Sequence, residues 1–363
     1  MAIPFTQEYR DPQIARQLTR EIRRRSQTPL RIMEVCGTHT VSIFRHGIRS
    51  LLPETITLLS GPGCPVCVTA QQEIDAFVAL ARQPDMIITT YGDLLRVPGS
   101  GSSLEKERAQ GRDIRVVYST LDALAIAQEN PQHKVVFLGV GFETTAPTAA
   151  AALLSARQMR LTNFWVYAAQ KTVPPALSAL MKTPGMRIDG FLLPGHVSVI
   201  IGLEAYRPWF ETYRLPAVVT GFEPVDILQG ILELVTQKEA RRPALANAYP
   251  RAVTDQGNPK ARQIMAQVFE TGDALWRGLG SMPVSGLILK EAFVPWDAAQ
   301  GFDLDLPEAQ EPPGCACGAV LTGLLRPPEC PLYRKVCTPL NPVGPCMVSS
   351  EGTCAAYYRY HGE

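Results

Sequence analysis

Residues 30–40 read Leu-Arg-Ile-Met-Glu-Val-Cys-Gly-Thr-His-Thr, a mostly apolar run that ends in a small polar loop. The run has the length of a buried strand, and the residues after the loop predict a helix near Val41. The same succession of apolar run, loop and helical pattern recurs until about residue 240. The predicted strands are Leu30–Cys36, Ile56–Ser60, Met86–Thr90, Ile114–Ser119, Val135–Val140, Phe164–Ala168, Phe191–Pro194 and Ala217–Thr220.

This succession predicts an α/β protein with two doubly wound, Rossmann-like domains built on parallel sheets. Asp11 as cap and Pro12 in the first turn predict a helix before the first strand. After residue 240 the pattern weakens, with a helix expected over Pro259–Leu275 and a short strand or loop over Ser281–Phe293. The expected division is an N-terminal helix at residues 1–29 packed with the C-terminal domain, α/β domains at 30–140 and 141–240, and a helical, loop-rich region at 241–363.

The composition excludes several classes of function. The 363 residues include 35 basic and 34 acidic side chains, so no general positive field attracts nucleic acid or an anionic membrane. No stretch reaches the ~20 apolar residues that span a bilayer, and the N-terminus lacks the pattern of a secretory signal. We therefore expect a cytoplasmic protein without nucleic-acid or membrane partners. Because that compartment is reducing, its cysteines are expected to bind metal or to undergo reversible redox chemistry.

The nine cysteines fall into two groups near opposite ends of the chain, and the sequence has none between Cys67 and Cys315. Cysteines that serve as small core residues would be scattered, so this clustering indicates chemistry at two places that the fold must bring together. The N-terminal group is Cys36, Cys64 and Cys67, and the C-terminal group is Cys315, Cys317, Cys330, Cys337, Cys346 and Cys354.

The N-terminal cysteines follow predicted strands, at the sheet edge where ligands of α/β proteins bind. Cys36 ends the first strand and opens the Cys-Gly-Thr-His-Thr loop. Cys64 and Cys67 form a Cys-Pro-Val-Cys pair before a helix that Thr69 is expected to cap, with Gln72 three residues later. A thiol at the N-terminus of a helix has a lowered pKa, because the helix dipole favours the thiolate. The pair resembles the redox-active pair of thioredoxin-like proteins.

A structural zinc site is the main alternative for these residues. Cys36, His39, Cys64 and Cys67 supply three thiolates and one imidazole, which are the ligand types of a tetrahedral zinc site. Buried cysteines without a metal, and a hydrogen-bonded histidine at the start of a helix, are simpler interpretations. The residue types and spacings leave these alternatives open.

The C-terminal group holds more thiols than one four-coordinate ion uses. Its spacings fit neither a zinc ribbon, which needs two close pairs, nor the tight run of bacterial ferredoxins. The Cys-Pro step at Cys330 favours an iron–sulfur cluster over zinc. The surrounding segment is rich in proline and glycine and can build little core, so a metal centre is expected to hold it together.

Short segments distributed over most of the chain carry recognisable motifs. They are Cys36–Thr40, Gly61–Cys67, Thr89–Asp93, Arg96–Ser100, Gly141–Thr145, Pro194–Ser198, Gly221–Pro224 and Pro342–Gly352. In this order, they resemble the HypD family of [NiFe]-hydrogenase maturation factors. The resemblance extends from about residue 30 to the C-terminus, and several of its motifs carry cysteines, which makes it specific.

The resemblance implies a role in metallocentre assembly, as a scaffold with redox activity rather than as a conventional turnover enzyme. The cargo would be an iron centre that carries two cyanides and one carbon monoxide. The implied partners are a HypC-type chaperone and HypE, which passes on cyanide groups supplied by HypF. The hydrogenase large subunit would receive the finished centre indirectly.

The resemblance also implies a third domain that holds a [4Fe-4S] cluster beside two α/β domains. The family's C-x12-C-x6-C-x16-C pattern assigns the cluster ligands to Cys317, Cys330, Cys337 and Cys354. Cys315 is an alternative to Cys317, because both lie in one small loop. Cys346 is then a further thiol without an assigned role.

These implied roles lead to a mechanistic hypothesis. Cys36 is assigned as iron ligand, because iron that carries cyanide and carbon monoxide takes soft thiolate donors, and His39 is assigned as ligand or neighbouring partner. A Cys64–Cys67 dithiol would store two electrons, and the C-terminal region would fold back so that the cluster recharges it. Further candidates within family-like motifs are Asp93, Arg96, His196 and Glu351.

Each of these four residues has loop-bracing hydrogen bonds as an equal alternative role. Two competing functions also remain at this stage. One is a cytoplasmic thiol–disulfide oxidoreductase with an iron–sulfur domain. The other is a zinc-stabilised interaction protein.

Overall fold

The computed structural model describes residues 7–306 and 308–360. Within these residues the framework consists of two parallel sheets and one antiparallel hairpin. The strands are β1 (Leu30–Glu34), β2 (Ile56–Ser60), β3 (Met86–Thr90), β4 (Asp113–Val116), β5 (Lys134–Gly141), β6 (Phe164–Gln170), β7 (Gly190–Pro194), β8 (Ala217–Thr220), β9 (Leu245–Asn247), β10 (Phe269–Trp276) and β11 (Gly280–Leu289).

Helices connect these strands and cover the sheets. The α-helices are α1 (Pro12–Arg25), α2 (Gly37–Arg45), α3 (Ile48–Leu51), α4 (Pro65–Val68), α5 (Gln71–Arg82), α6 (Leu104–Ala109), α7 (Thr120–Glu129), α8 (Ala146–Met159), α9 (Val173–Lys182), α10 (Gly195–Ile201), α11 (Arg207–Tyr213), α12 (Pro224–Ala240), α13 (Pro259–Val268), α14 (Ala298–Gly301), α15 (Cys317–Leu321), α16 (Pro345–Val348) and α17 (Thr353–Tyr360). Short 3-10 helices are Glu8–Arg10, Gly92–Arg96, Glu204–Tyr206, Glu291–Trp296 and Pro327–Glu329.

The first sheet has the strand order β2-β1-β7-β8-β9 and the second β4-β3-β5-β6, and all of their pairings are parallel. Both sheets are packed on both faces, as alternate residues of one strand show. Ile32 and Met33 of β1 belong to different buried clusters, and so do Ile87 and Ile88 of β3. This confirms the predicted α/β class with doubly wound parallel sheets.

From the sequence we expected the strands to be divided between the two sheets at residue 140, and this division is wrong. The first sheet takes strands from residues 30–60 and again from 190–247, and the second sheet takes its strands from residues 86–170. The chain therefore leaves the first sheet after β2, builds the second sheet and then returns. The return places Phe191 of β7 opposite Met33 of β1. An apolar run predicts a strand but does not reveal its neighbour, which explains the error.

The expected helix over Pro259–Leu275 is wrong in its second half. Helix α13 ends at Val268, and Phe269–Trp276 is a strand that pairs with Gly280–Leu289 in the antiparallel hairpin. The residues between Phe269 and Trp276 are mostly polar or small and none of them is buried, which suits a hairpin strand as well as a helix surface. The pairing with β11 decides between the two.

The N-terminal helix forms as predicted but packs elsewhere. Asp11 accepts hydrogen bonds from the N–H groups of the first turn, and Pro12 begins α1. Its buried side chain Ile22 joins a cluster with Ile231 and Leu234 of α12. Helix α1 therefore packs on the α/β part of the molecule, because its apolar face matches that of α12, and its expected packing with the C-terminal domain is wrong.

The C-terminal region packs against the loops that follow β1 and β2. Helices α15 and α16 contact α4, and α17 contacts α2. Phe44 and Tyr357 form an edge-to-face ring pair across the last contact, with centroids 4.4 Å apart. The two ends of the chain that carry the cysteines are therefore neighbours in the fold. Among the described residues, none of the helices combines the length and apolar character that crossing a bilayer requires.

Candidate metal and redox site

The candidate site lies where four neighbouring strands of the first sheet end. Cys36 and His39, at the start of α2, follow β1, and Cys64 and Cys67, at the two ends of the short helix α4, follow β2. His196, in the first turn of α10, follows β7, and the segment Gly221–Glu223 follows β8. Because all these strands are parallel, their carboxyl ends meet at one edge, which is where ligands of α/β proteins bind. The sheet thus brings together residues from four separate motifs.

Cys36 is the N-cap residue of α2, and the first N–H groups of this helix surround its sulfur. The N–H groups of Thr38 and His39 interact with the thiol, while the N–H of Cys36 donates to the Glu34 carboxylate at 3.2 Å. Gly63 packs directly on this backbone, since a Cβ atom there would lie 2.1 Å from the Cys36 nitrogen. A glycine at residue 63 therefore lets the second cysteine loop approach the first.

Burial dominates the chemistry of Cys36 and Cys67, so the lowered pKa that we expected from the helix N-terminus is wrong for Cys67. Burial, followed by the charge of Glu351, raises the pKa of Cys36 to about 12, although the N–H groups of α2 oppose this shift. Burial also raises the pKa of Cys67 well above its ordinary value. A thiolate at Cys36 therefore needs a bound metal cation to replace the proton.

His39 is fully buried and has one ring nitrogen available. Its Nε2 lies 2.9 Å from the carbonyl oxygen of Gly221, and because a carbonyl only accepts, Nε2 carries the proton. In the described part of the chain Nδ1 has no hydrogen-bond partner. Burial lowers the pKa of His39 to about 4, so the ring is neutral near pH 7. Nδ1 can therefore accept a hydrogen bond or bind a metal.

Phe222 joins His39 to His196. The centroid of its ring lies 4.7 Å from that of His39 and 3.9 Å from that of His196. His196 is exposed, so it lies at the outer side of the site. Sequence inspection missed Phe222, although it lies in one of the motifs that carry the family resemblance. It also missed Glu34, for which an acidic residue inside an apolar strand was the available signal.

Cys64 and Cys67 form a compact pair in a helical turn of their own. Their Sγ atoms are 2.6 Å apart, and the N–H of Cys67 also lies 3.3 Å from the sulfur of Cys64. Helix α5 is a separate helix that begins after Ala70 rather than at the expected Thr69 cap. The N–H of Ala70 donates to Glu73, so the capping residue predicted as Gln72 is displaced by one position.

Cys346 connects this pair to the C-terminal cysteines. Its thiol is completely buried and interacts with the thiols of Cys67, Cys317 and Cys354. The Sγ atom of Cys67 also lies 3.9 Å from the carbonyl oxygen of Pro345. Cys346 thus lies between the two groups of cysteines, a position that its spacing in the sequence did not indicate.

Other C-terminal cysteines also interact with one another. The thiols of Cys315 and Cys317 interact, and Gly344 packs on both sulfurs, since a Cβ atom there would lie 2.7 and 2.4 Å from them. Cys337 accepts a hydrogen bond from the N–H of Val343 and interacts electrostatically with Cys354 and Cys315. Cys330 is half-buried in the turn that leads through Tyr333 towards Cys337.

The donor chemistry of this region fits an iron–sulfur cluster, because thiolates are its usual ligands and several approach one another here. Within residues 7–306 and 308–360, no three His, Cys, Asp or Glu side chains are arranged to hold a single metal ion. The zinc-type set of Cys36, His39, Cys64 and Cys67 is therefore not assembled as such a group. A four-iron cluster separates its ligand sulfurs more widely than one ion does, so the thiols of the C-terminal region remain suited to it.

Three of the predicted polar residues attach the C-terminal region to the site. Asp93 accepts hydrogen bonds from the hydroxyl of Ser349 and the N–H of Ser350, and Arg96 donates to the carbonyl oxygen of Pro339. Glu351 accepts a hydrogen bond of 2.6 Å from the hydroxyl of Thr38. Of these three residues, Glu351 is the one whose charge acts on Cys36.

The fold and the site together define an α/β protein with a cysteine-lined candidate site against which a cysteine-rich C-terminal region packs. Residues 13–361 match the HypD family model, which is described as "Hydrogenase formation hypA family". The chain belongs to the HypD family of hydrogenase maturation factors.

Curated relatives agree with this assignment. The chain is similar to the hydrogenase maturation factor HypD of Escherichia coli K12, with 46% identity over 98% of each chain. It is 45% identical to HypD of Rhodobacter capsulatus, over 99% of this chain and 98% of the relative. HypD of Azotobacter vinelandii is also 45% identical, over 98% of this chain and 96% of the relative.

Proposed function

We propose that this protein is a scaffold on which an iron centre with two cyanides and one carbon monoxide is assembled for a [NiFe]-hydrogenase. It would work with a HypC-type chaperone and receive cyanide from HypE, which HypF supplies, before the centre passes to the hydrogenase large subunit. Electrons would come from a [4Fe-4S] cluster in the C-terminal region through the Cys64–Cys67 dithiol. The contact of Cys346 with Cys67, Cys317 and Cys354 is the observation that carries this proposal.

Cys36 is the proposed iron ligand. It is a soft donor at the end of β1, and the N–H groups of Thr38 and His39 would stabilise its negative charge once iron has displaced the proton. Glu34 fixes the backbone beneath it through the N–H of Cys36. His39 would serve through Nδ1 as ligand or hydrogen-bond acceptor. A ligand from the chaperone would complete the site, so that separation of the two proteins releases the iron centre.

The Cys64–Cys67 pair is suited to two-electron chemistry. Oxidation of both thiols to one disulfide releases two electrons and two protons, and the short Sγ–Sγ distance requires little movement for that bond to form. The pair is buried, with Cys64 only 4% exposed and Cys67 completely enclosed. A disulfide of another protein could not reach it without opening the fold. This enclosure argues against the alternative function as a general thiol–disulfide oxidoreductase.

Four cysteines of the C-terminal region would hold the cluster, which supplies single electrons when it is bound. Cys330, Cys337 and Cys354 are three of the proposed ligands. The family spacing assigns Cys317 as the fourth, and its thiol interacts with that of Cys354. Cys315, which lies beside Cys317 in the same loop, is the alternative ligand. We therefore propose Cys317 as fourth ligand and place Cys346, which interacts with Cys317 and Cys67, between cluster and dithiol.

Infrared spectroscopy of the protein co-purified with its chaperone tests the assignment of Cys36. Metal-bound cyanide and carbon monoxide absorb where proteins do not, and these bands should be lost in Cys36→Ala. His46→Ala is a matched control, because His46 lies at the exposed end of the same helix and should leave the bands unchanged. Persistence of the bands in Cys36→Ala would falsify the ligand assignment.

A further inference from the structure

The turn of the antiparallel hairpin carries a buried positive charge. Arg277 follows Trp276, the last residue of β10, and its side chain is only 1% exposed. Burying a guanidinium is costly unless hydrogen bonds and an opposite charge compensate for the loss of water. The roles proposed above for the cysteines do not involve this side chain.

On one side, Arg277 binds the backbone that follows the dithiol. Its N–H donates to the carbonyl oxygen of Val68 at 2.9 Å, and its Nε donates to that of Thr69 at 3.1 Å. One of its terminal nitrogens donates to the side-chain oxygen of Gln71 at 2.9 Å. The first two acceptors directly follow Cys67 in the chain, so Arg277 is attached to the segment that carries the dithiol.

On the other side, the same turn packs on the C-terminal region. A Cβ atom at Gly278 would lie 2.6 Å from the Cα atom of Gly318, so the two backbones are in direct contact. Gly318 follows Cys317, the proposed cluster ligand, in the chain. The charge of Arg277 also acts on the neighbouring thiol of Cys315. The guanidinium therefore lies within electrostatic reach of the loop that would bind the cluster.

The positive charge of Arg277 is only partly balanced. Its ion-pair partner among the described residues is Glu311, whose side chain is 56% exposed. Water screens the charge of an exposed carboxylate, whereas it screens a buried guanidinium much less. The other two acceptors of the guanidinium, a backbone carbonyl and a side-chain amide, are uncharged. A net positive electrostatic potential therefore remains around the buried side chain.

We propose that Arg277 raises the reduction potential of the cluster that the C-terminal region would bind. This inference rests on the proposed function, because it requires that cluster. A [4Fe-4S] cluster held by four thiolates is an anion, and reduction by one electron adds a further negative charge. A nearby cation stabilises the more negative state, and this effect is stronger in the protein interior than in water. Arg277 thus tunes the cluster without being a ligand of it.

Redox titration of the anaerobic, cluster-containing protein, followed by visible absorption, tests this proposal. Arg277→Gln removes the charge, so the ratio of reduced to oxidised cluster at a fixed solution potential should fall about tenfold, which corresponds to about 59 mV for one electron. Arg277→Lys keeps the charge and should restore most of this shift. A merely structural role would affect both variants alike, because lysine cannot form the forked hydrogen bonds of a guanidinium.

Glu311→Gln is the matched control. It breaks the same ion pair but leaves the guanidinium charged, so the reduction potential should not fall. Gln71→Glu provides the test if Arg277→Gln does not retain its cluster. This substitution adds a negative charge beside the guanidinium and should lower the reduction potential.

Iron and sulfide analysis of the native protein separates this proposal from the proposed function. A native protein without a cluster would overturn both. With the cluster present, an unchanged reduction potential in Arg277→Gln, or in Gln71→Glu where the first variant lacks a cluster, would overturn only the role of Arg277. An equal fall in Arg277→Lys or in Glu311→Gln would do the same, because the positive charge would not be its cause.

Discussion

The two cysteine regions are positioned by different means. Cys36, Cys64 and Cys67 follow strands of a parallel sheet, and the register of that sheet sets their places. The cysteines between 315 and 354 lie in short turns and helices, and contacts with the first region hold them in position. The first region therefore depends on the sheet, whereas the second depends on its partners and, in our proposal, on a cluster. Because the two regions are held in place differently, we expect them to respond differently to substitutions and to a change of pH.

The largest expected effect concerns the cluster. Cys337→Ala should abolish iron and sulfide binding, which amounts to about four of each per chain for a cluster of this type. Cys317→Ala should do the same, and Cys315→Ala should retain most of the iron, because the family spacing assigns Cys317 as the ligand. Anaerobic metal analysis and visible absorption measure all three variants. Cys36→Ala should keep the cluster, and loss of iron in Cys315→Ala alone would overturn the assignment from family spacing.

A pH titration of the metal-free protein tests the first region through its buried His39. Burial lowers the pKa of His39 from 6.5 to about 4, so its contribution to stability is full above pH 6.5 and is lost as pH falls through 4. The stability advantage of the native chain over His39→Gln should therefore fall by about 3 kcal/mol between pH 7 and 4. Urea unfolding at both pH values measures this difference.

The matched variant for this titration is His46→Gln, at the other end of α2. His46 is less buried, and its pKa is lowered to a smaller extent by that partial burial. The difference in unfolding free energy between the native chain and His46→Gln should change less between pH 7 and 4 than the same difference for His39→Gln. Equal changes for the two variants would contradict the role of the buried ring.

The sequence predicted the first region better than the second. The bounds of β2, β3 and β8 match the prediction, because each is a continuous run of apolar or β-branched residues that ends in turn-forming residues. Placement of Cys36 and the Cys64–Cys67 pair follows from these strands. The raised pKa of Cys36 was not predictable from the helix position, since its burial outweighs the N–H groups of α2.

The contacts of the second region depend on tertiary structure. Nothing in the spacing of Cys346 shows that it lies between Cys67 and Cys317, because that arrangement joins distant parts of the chain. The same limit applies to β7, whose place beside β1 results from a return of the chain. Local pattern fixes an element and its approximate ends, whereas its neighbours depend on packing across the whole domain.

A smaller effect is expected where Asp93 holds the C-terminal region to the rest of the fold. Asp93→Asn weakens the hydrogen bonds from Ser349 and Ser350, which should cost about 1–3 kcal/mol locally. Hydrogen exchange of a peptide covering residues 345–352 should therefore speed up, while exchange in β1 stays unchanged. Asp113→Asn is the control, since Asp113 pairs with Arg115 on an edge strand. Equal exchange of this peptide in both variants would show that Asp93 does not hold the C-terminal region.

The central claim is that Cys346 links the two regions, and the reduction of the Cys64–Cys67 disulfide tests it most directly. In anaerobic protein that contains the cluster, the rate of this reduction after addition of dithionite can be followed by trapping free thiols. We expect Cys346→Ala to keep its iron but to slow the reduction by about tenfold or more, because the contact with Cys67 is removed. An unchanged rate in Cys346→Ala, with the cluster intact, would contradict the proposed link.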